Sequence, residues 1–194
     1  MEKKLLILGA EKQFAREVTL GAIVANPPAA WYYLIPGMFI IDFLRRESAL
    51  RRYTKYFMFP RNLAMDAALA IIEEDDETSV VAHVRRDMAS WLNSQNRNTP
   101  DLIGAHMAWM DVLINYYRAL LKAGGDSYYL LIQNAYQDRD NLRSFFAKIT
   151  AAEHAIDRLV IEKSGSNLKI QNKILTEQQQ IEKRRDILLD AVFS

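Results

Sequence analysis

The sequence predicts an all-α protein, a bundle of six or seven helices, and three observations support this fold class. Apolar residues recur at steps of three and four through the C-terminal two thirds of the chain, which is the spacing of a helix face packed on other helices. Signals that begin and end helices separate these stretches. No alternation typical of a β-strand competes with them after residue 12. At 194 residues the chain is long enough for one substantial core.

The composition excludes several classes of function. Half of the residues are hydrophobic and a quarter are charged, so the chain is not disordered as a whole. The absence of cysteine excludes disulfides, thiolate metal sites and cysteine nucleophiles. A net charge of +1 gives no general attraction to nucleic acid, which is not an expected partner. The apolar stretch LLILGA is too short for a secretory signal, so we expect a cytoplasmic protein.

An uncharged run of 24 residues extends from Val18 to Ile41. It is long enough to cross a bilayer by count, but Pro27, Pro28 and Pro36 interrupt helical hydrogen bonding. The run therefore predicts a helix ending near Ala25, a turn and a second kinked segment, which together form an apolar hairpin. The residues expected to contact a membrane are Trp31, Tyr32, Tyr33, Met38, Phe39, Ile40 and Ile41.

The interval after this run is basic and aromatic. Between Phe43 and Arg61 there are six basic residues and one acid, Glu47. Such a helix suits anionic lipid, at about 1 kcal/mol per basic residue near the surface. The expected headgroup contacts are Arg45, Arg46, Arg51, Arg52 and Lys55. The same hairpin could instead be the buried centre of a soluble bundle, or an interface that a second copy of the chain covers.

The helix expected from about 100 to 122 has the most complete end signals. Thr99 is a suitable N-cap, Pro100 occupies the first helical position and Gly124 follows the last turn. Its two apolar seams leave only a narrow polar stripe, so we expect the helix to be covered on most sides. Two shorter helices are expected before it, at about 61–73 and 79–93.

The C-terminal region predicts an antiparallel pair of helices. The first is expected at about 127–163, either as one long helix or as two collinear ones, and Gly165 suits the turn that follows. The second places Ile170, Ile174, Ile181, Leu188 and Ala191 on a matching seam. Glu177 and Arg184 also fall on that seam, and we expect them to pair with polar groups across the interface or to lie where the seam leaves the core.

Three histidines limit the possible acid–base and metal chemistry. His83 is expected to pair with Asp87, and His154 is expected to be exposed. His106 lies in an apolar seam, where a histidine is typically a hydrogen-bonded core residue. The Glu-x-x-His spacing of di-iron bundles is absent, and we assign no catalytic residue, metal ligand or cofactor. A pocket is expected at His106, Trp109 and Tyr116.

Two functions follow as hypotheses. The first is a non-catalytic, membrane-associated scaffold or adaptor at the inner face of a membrane, in which residues 1–60 contact anionic lipid and the bundle of residues 61–194 binds a protein partner. The alternative is a soluble cytoplasmic bundle, monomeric or homodimeric, that binds a small apolar ligand or a metal near His106.

Overall fold

The computed structural model describes residues 2–25, 38–73, 76–163, 165 and 167–194; within the helices, the side chains of residues 23–25, 38–46 and 49 lie outside this description. The described residues form seven helices and no strand, which confirms the all-α prediction. The helices are α1 (Glu2–Ala25), α2 (Met38–Ile72), α3 (Glu77–Ser94), α4 (Pro100–Lys122), α5 (Tyr128–Tyr136), α6 (Arg139–Lys163) and α7 (Leu168–Val192).

Helix α2 is the longest element and passes through Pro60 without ending. The sequence predicted two helices here, a basic aromatic one up to Arg61 and another at about 61–73. Proline disfavours a helix interior locally, because it cannot donate an intrahelical hydrogen bond. Tertiary packing outweighs that local preference, since Pro60 and Arg61 are both buried. The boundary proposed between a membrane-contact region, residues 1–60, and a helical bundle, residues 61–194, thus falls within one helix. The separate roles of these two regions stay a prediction.

Local signals place α3 and α4 close to their predicted bounds. The Asp76 carboxylate accepts hydrogen bonds from the backbone N–H groups of Thr78 and Ser79, which fixes the start of α3. Helix α4 begins at Pro100, with Thr99 in the extended conformation of an N-cap residue. The Thr99 hydroxyl does not cap the helix; it accepts a hydrogen bond from Lys163 of α6.

Of the two alternatives for residues 127–163, one long helix or two, the structure has two. Gln137 has a φ of 66°, a left-handed conformation that a continuing α-helix does not accommodate. Asp138 then caps α6, because its Oδ1 accepts the backbone N–H of Asn141 at 2.8 Å. Ser127 similarly accepts from the N–H of Leu130 at the start of α5.

Helices α6 and α7 pack antiparallel. Gln178 contacts Asp157, whereas Arg185, further along α7, contacts Thr150, earlier on α6. The two seam residues noted in the sequence both pair with other helices. Glu177 accepts a hydrogen bond from Tyr53 of α2, and Arg184 lies 3.1 Å from Glu17 of α1.

Helix α4 is central to the core, as its two apolar seams predict. Nine of its residues are buried, and it packs against α2, α3, α5 and α6. Met110, Leu113, Tyr117 and Leu120 of α4 join Met65 of α2 in the same apolar cluster. The N-terminal part of α4, around His106, therefore lies near both α2 and α6.

The expected membrane-contact residues lie outside what can be described. Trp31, Tyr32 and Tyr33 fall in the undescribed interval 26–37, and for Met38, Phe39, Ile40 and Ile41 only the helical backbone is described. For Arg45 and Arg46, too, only the helical backbone is described. Within the described ranges, no helix combines the length and the hydropathy needed to cross a membrane.

Candidate ligand-binding cavity

A cavity of about 530 Å³ lies between α2, α3, α4, α6 and α7; we call it the interhelical cavity. Its volume is within the range of about 300 to 1,000 Å³ that is typical of small-molecule sites. Among the lining residues, Tyr56, Arg97 and Glu182 are exposed. These three residues therefore mark where the cavity meets solvent.

Aromatic side chains from three helices form one wall of the cavity. The Trp91 ring is stacked on Phe59 at 5.1 Å between centroids, and it meets the edge of His106 at 6.2 Å. His106 in turn lies 6.3 Å from Trp109, at 78° between the ring planes. The aromatic residues that line the cavity are Tyr53, Tyr56 and Phe57 of α2, Trp91 of α3 and Trp109 of α4.

The backbone fixes the tautomer of His106. Its Nδ1 lies 2.8 Å from the Leu102 carbonyl oxygen one helical turn earlier, and a carbonyl can only accept, so Nδ1 carries the proton. Burial lowers the pKa of His106, and the nearby charge of Arg97 lowers it further, although the bond to Leu102 opposes both effects. The imidazole is thus held neutral, with Nε2 as an acceptor that no described residue occupies.

The indole of Trp109 carries an unpaired donor. Its Nε1 is buried and makes no hydrogen bond to any described residue. A buried donor without a partner costs about 1 to 3 kcal/mol. Trp109 and His106 both line the cavity, but the indole N–H itself is buried away from it.

A chain of buried ion pairs forms the floor of the cavity and joins four helices. Arg61 of α2 donates from Nε to Glu11 Oε2 of α1 at 2.9 Å, and its Nη2 lies 3.7 Å from Glu153 of α6. Arg185 of α7 donates to Glu153 at 2.9 Å and to the Thr150 hydroxyl at 2.6 Å. The Arg61 guanidinium also lies 3.4 Å from the centroid of the Phe57 ring.

Two further carboxylates line the cavity without a cationic contact among the described residues. Asp157 Oδ2 accepts from Gln178 Nε2 at 2.8 Å, and Glu177 Oε1 accepts from the Tyr53 hydroxyl at 2.7 Å. Burial raises the pKa of Asp157 and of Glu177, and the charge of Glu153 adds to both shifts. Their hydrogen bonds oppose the shifts, as do the nearby His154 at Asp157 and Arg61 at Glu177, but burial prevails. Both carboxylates are therefore held in an environment that disfavours their charge.

The structure divides the pocket expected from the sequence. His106 and Trp109 line the interhelical cavity, whereas Tyr116 lines a separate cavity with Asn115 and Tyr136. Ten residues of helix rise by about 15 Å, which carries Tyr116 to the other end of α4. There its hydroxyl lies 2.7 Å from that of Tyr128. Tyr116 is therefore a core residue beneath α5. Its predicted place in one pocket with His106 and Trp109 is wrong.

Of the other two histidines, His83 has the partner expected of it, whereas His154, expected to be exposed, is only partly so. His83 Nε2 lies 3.3 Å from Asp87 Oδ2 on the exposed side of α3. His154 is partly exposed at the cavity rim, 3.9 Å from Glu182. No group of three His, Asp or Glu side chains in the described part of the chain is arranged to hold a metal ion.

Sequence reasoning missed most of the polar groups of this site. Arg61 was grouped with the basic residues of a surface helix, but it is almost fully buried. Tyr53 and Phe57 were read only as surface aromatics of that helix, and Glu153 and Arg185 were not selected. The one signal was Glu177, a charged residue on an apolar seam. Comparison of the chain with protein-family models, curated proteins and solved structures finds no match.

Proposed function

We propose that the protein is a small-molecule-binding helical bundle whose interhelical cavity holds an organic ligand with an aromatic or apolar body. This is the soluble alternative drawn from the sequence, with the ligand placed between α4 and α6–α7. The observation that carries the proposal is the cavity of about 530 Å³ between five helices, lined by aromatic side chains of α2, α3 and α4. Its size and its aromatic lining suit an organic molecule.

Two further features support a ligand in this place. The aromatic wall offers flat surfaces on which rings and alkyl groups pack well. The His106 tautomer leaves Nε2 as an acceptor at the cavity, to which a ligand hydroxyl or amide N–H could donate. A few polar groups in a mainly apolar cleft are typical of ligand sites.

A neutral fluorescent probe tests the proposal. N-phenylnaphthylamine has an apolar two-ring body, and its emission increases when it leaves water. We expect saturable binding to the purified full-length protein. Val160 lines the cavity, so Val160→Phe should fill part of it and weaken binding by about tenfold or more.

Val81→Phe is the matched control, because Val81 is exposed on α3 and does not line the cavity. It adds the same side-chain volume outside the site and should leave binding unchanged. Equal loss in the two variants, or binding that Val160→Phe does not affect, would contradict the proposal.

A second candidate function is attachment to an anionic membrane surface, as predicted from the basic interval of α2. It is favoured by three exposed cationic side chains there, Arg51, Arg52 and Lys55. Arg51 is partly neutralised by Glu47 at 3.2 Å. In this proposal α2 contacts lipid headgroups through this basic surface, and the bundle remains available to a protein partner.

Flotation with anionic and neutral vesicles, at low and high salt, tests the second candidate. Comigration with anionic vesicles that Arg51→Gln, Arg52→Gln and Lys55→Gln together abolish would support it. The matched control replaces Lys169, Lys173 and Lys183, three exposed lysines of α7, by glutamine. No comigration at low salt, or equal loss in both triple variants, would refute attachment through α2.

A further inference from the structure

The charges around the interhelical cavity do not balance. The two buried arginines, Arg61 and Arg185, contact the two carboxylates Glu11 and Glu153. That set is neutral and its strongest hydrogen bonds are already formed. Asp157 and Glu177 remain as two additional carboxylates in the cavity wall.

The additional carboxylates have only neutral hydrogen-bond donors among the described residues, an amide at Asp157 and a phenol at Glu177. Each carboxylate can accept several hydrogen bonds, so both retain acceptor capacity. Glu177 is also close enough to Asp157 that the charge of Asp157 raises its pKa. A positive charge placed between these two groups would be stabilised by both.

The aromatic side chains of the cavity also favour a cation. Aromatic faces attract positively charged groups, most strongly where water is excluded, and tyrosine and tryptophan rings of α2, α3 and α4 line the cavity. An anionic ligand would have no comparable partner, because the buried arginines are already paired. Arg97 is exposed at the cavity mouth, where solvent screens its charge.

We propose that the ligand of the interhelical cavity is an organic cation, a primary or secondary ammonium group on an aromatic or apolar body, with its N–H groups donating to Asp157 and Glu177. The body then lies against the aromatic wall, toward Trp91 and Trp109. This inference rests on the proposed function, since it names the chemical class of the ligand.

Three probes with the same ring system separate charge from shape: naphthylmethylammonium, naphthylmethanol and naphthylacetate. We expect calorimetric titration of the full-length protein to give an affinity for the ammonium probe about tenfold or more above that for the alcohol. The acetate should bind more weakly than the alcohol.

The paired substitution Asp157→Asn and Glu177→Gln removes both charges but keeps an acceptor for Gln178 and for Tyr53. It should lower the affinity for the ammonium probe to about that for the alcohol, whose own affinity should change much less because a hydroxyl can donate to an amide oxygen as it does to a carboxylate. Glu162→Gln is the control, because Glu162 is an exposed acid of α6 that does not line the cavity. Urea unfolding of each variant checks that the bundle is intact.

The possible failures are distinguishable. If the alcohol binds as tightly as the ammonium probe and Val160→Phe weakens both, the cavity is a ligand site but the inference of a cation is wrong. If the ammonium probe keeps its advantage in the paired variant, Asp157 and Glu177 are not its partners and the inference is likewise overturned. If none of the three probes binds, the proposed function itself fails.

Discussion

The guanidinium of Arg61 donates from Nε to Glu11 Oε2 at 2.9 Å, with both side chains buried at the junction of α1 and α2. Burial alone would lower the pKa of Arg61, but the charge of Glu11, its hydrogen bond and the nearby Tyr117 and Glu153 together outweigh burial and raise it. The Phe57 ring beneath the guanidinium adds a cation–π contact. The ion pair therefore fixes the position of Arg61, which lines the interhelical cavity.

Breaking this pair should be costly. Glu11→Gln leaves Arg61 buried with only the more distant Glu153, so we expect the free energy of unfolding to fall by about 3 kcal/mol. Urea unfolding followed by circular dichroism measures the change. The exposed pair between Lys4 and Asp66 is the control, and Asp66→Asn should cost less than about 1 kcal/mol. Equal small costs in both variants would show that the buried pair does not stabilise the fold.

Asp157 and Glu177 should reduce stability at neutral pH. Burial raises their pKa values in the folded state. At pH values between the pKa of the unfolded chain and the pKa of the folded protein, the native protein therefore binds more protons than the unfolded chain. Stability from these groups is therefore present below the unfolded pKa and is lost as pH rises through the folded pKa.

The paired variant Asp157→Asn and Glu177→Gln should accordingly be at least as stable as the wild type at pH 7 and lose its advantage toward pH 4. Chemical unfolding at a series of pH values measures this. A wild type that is more stable than the variant at pH 7 would mean that the two carboxylates are structural ion partners rather than groups kept for a ligand.

His106 should give the opposite pH dependence. Its pKa is lowered by burial, so its contribution to stability is present above the unfolded pKa, about 6.5, and is lost as pH falls through the folded pKa. The wild type should thus lose stability on acidification by more than His106→Gln does. Unfolding curves between pH 7 and 5 test this, and parallel losses in the two proteins would contradict a neutral, buried imidazole.

The parts of the fold that depend on local signals could be predicted from the sequence. Helix α4 begins at Pro100 because that residue needs no intrahelical donor at the first position. Its nearly continuous apolar surface also predicted its central place. In contrast, the two helices expected on either side of residue 61 are one helix, and for residues 127–163 the sequence left both one helix and two helices open.

The candidate site could be predicted only in part, because its groups come from distant positions in the chain. His106 and Trp109 share one helix, so their common cavity followed from helical spacing. Arg61, Glu153 and Arg185 meet only when α2, α6 and α7 pack together. A charged residue on one helix does not reveal which charge on another helix will face it.

If the interhelical cavity holds an organic ligand, the indole N–H resonances of the tryptophans that line it should respond to binding. The chain has three tryptophans, and Trp→Phe variants assign their signals in a proton–nitrogen correlation spectrum. On addition of N-phenylnaphthylamine, we expect the Trp109 and Trp91 signals to shift with saturation, and Val160→Phe to suppress both shifts. A Trp109 signal that stays unchanged at saturating probe would contradict the account.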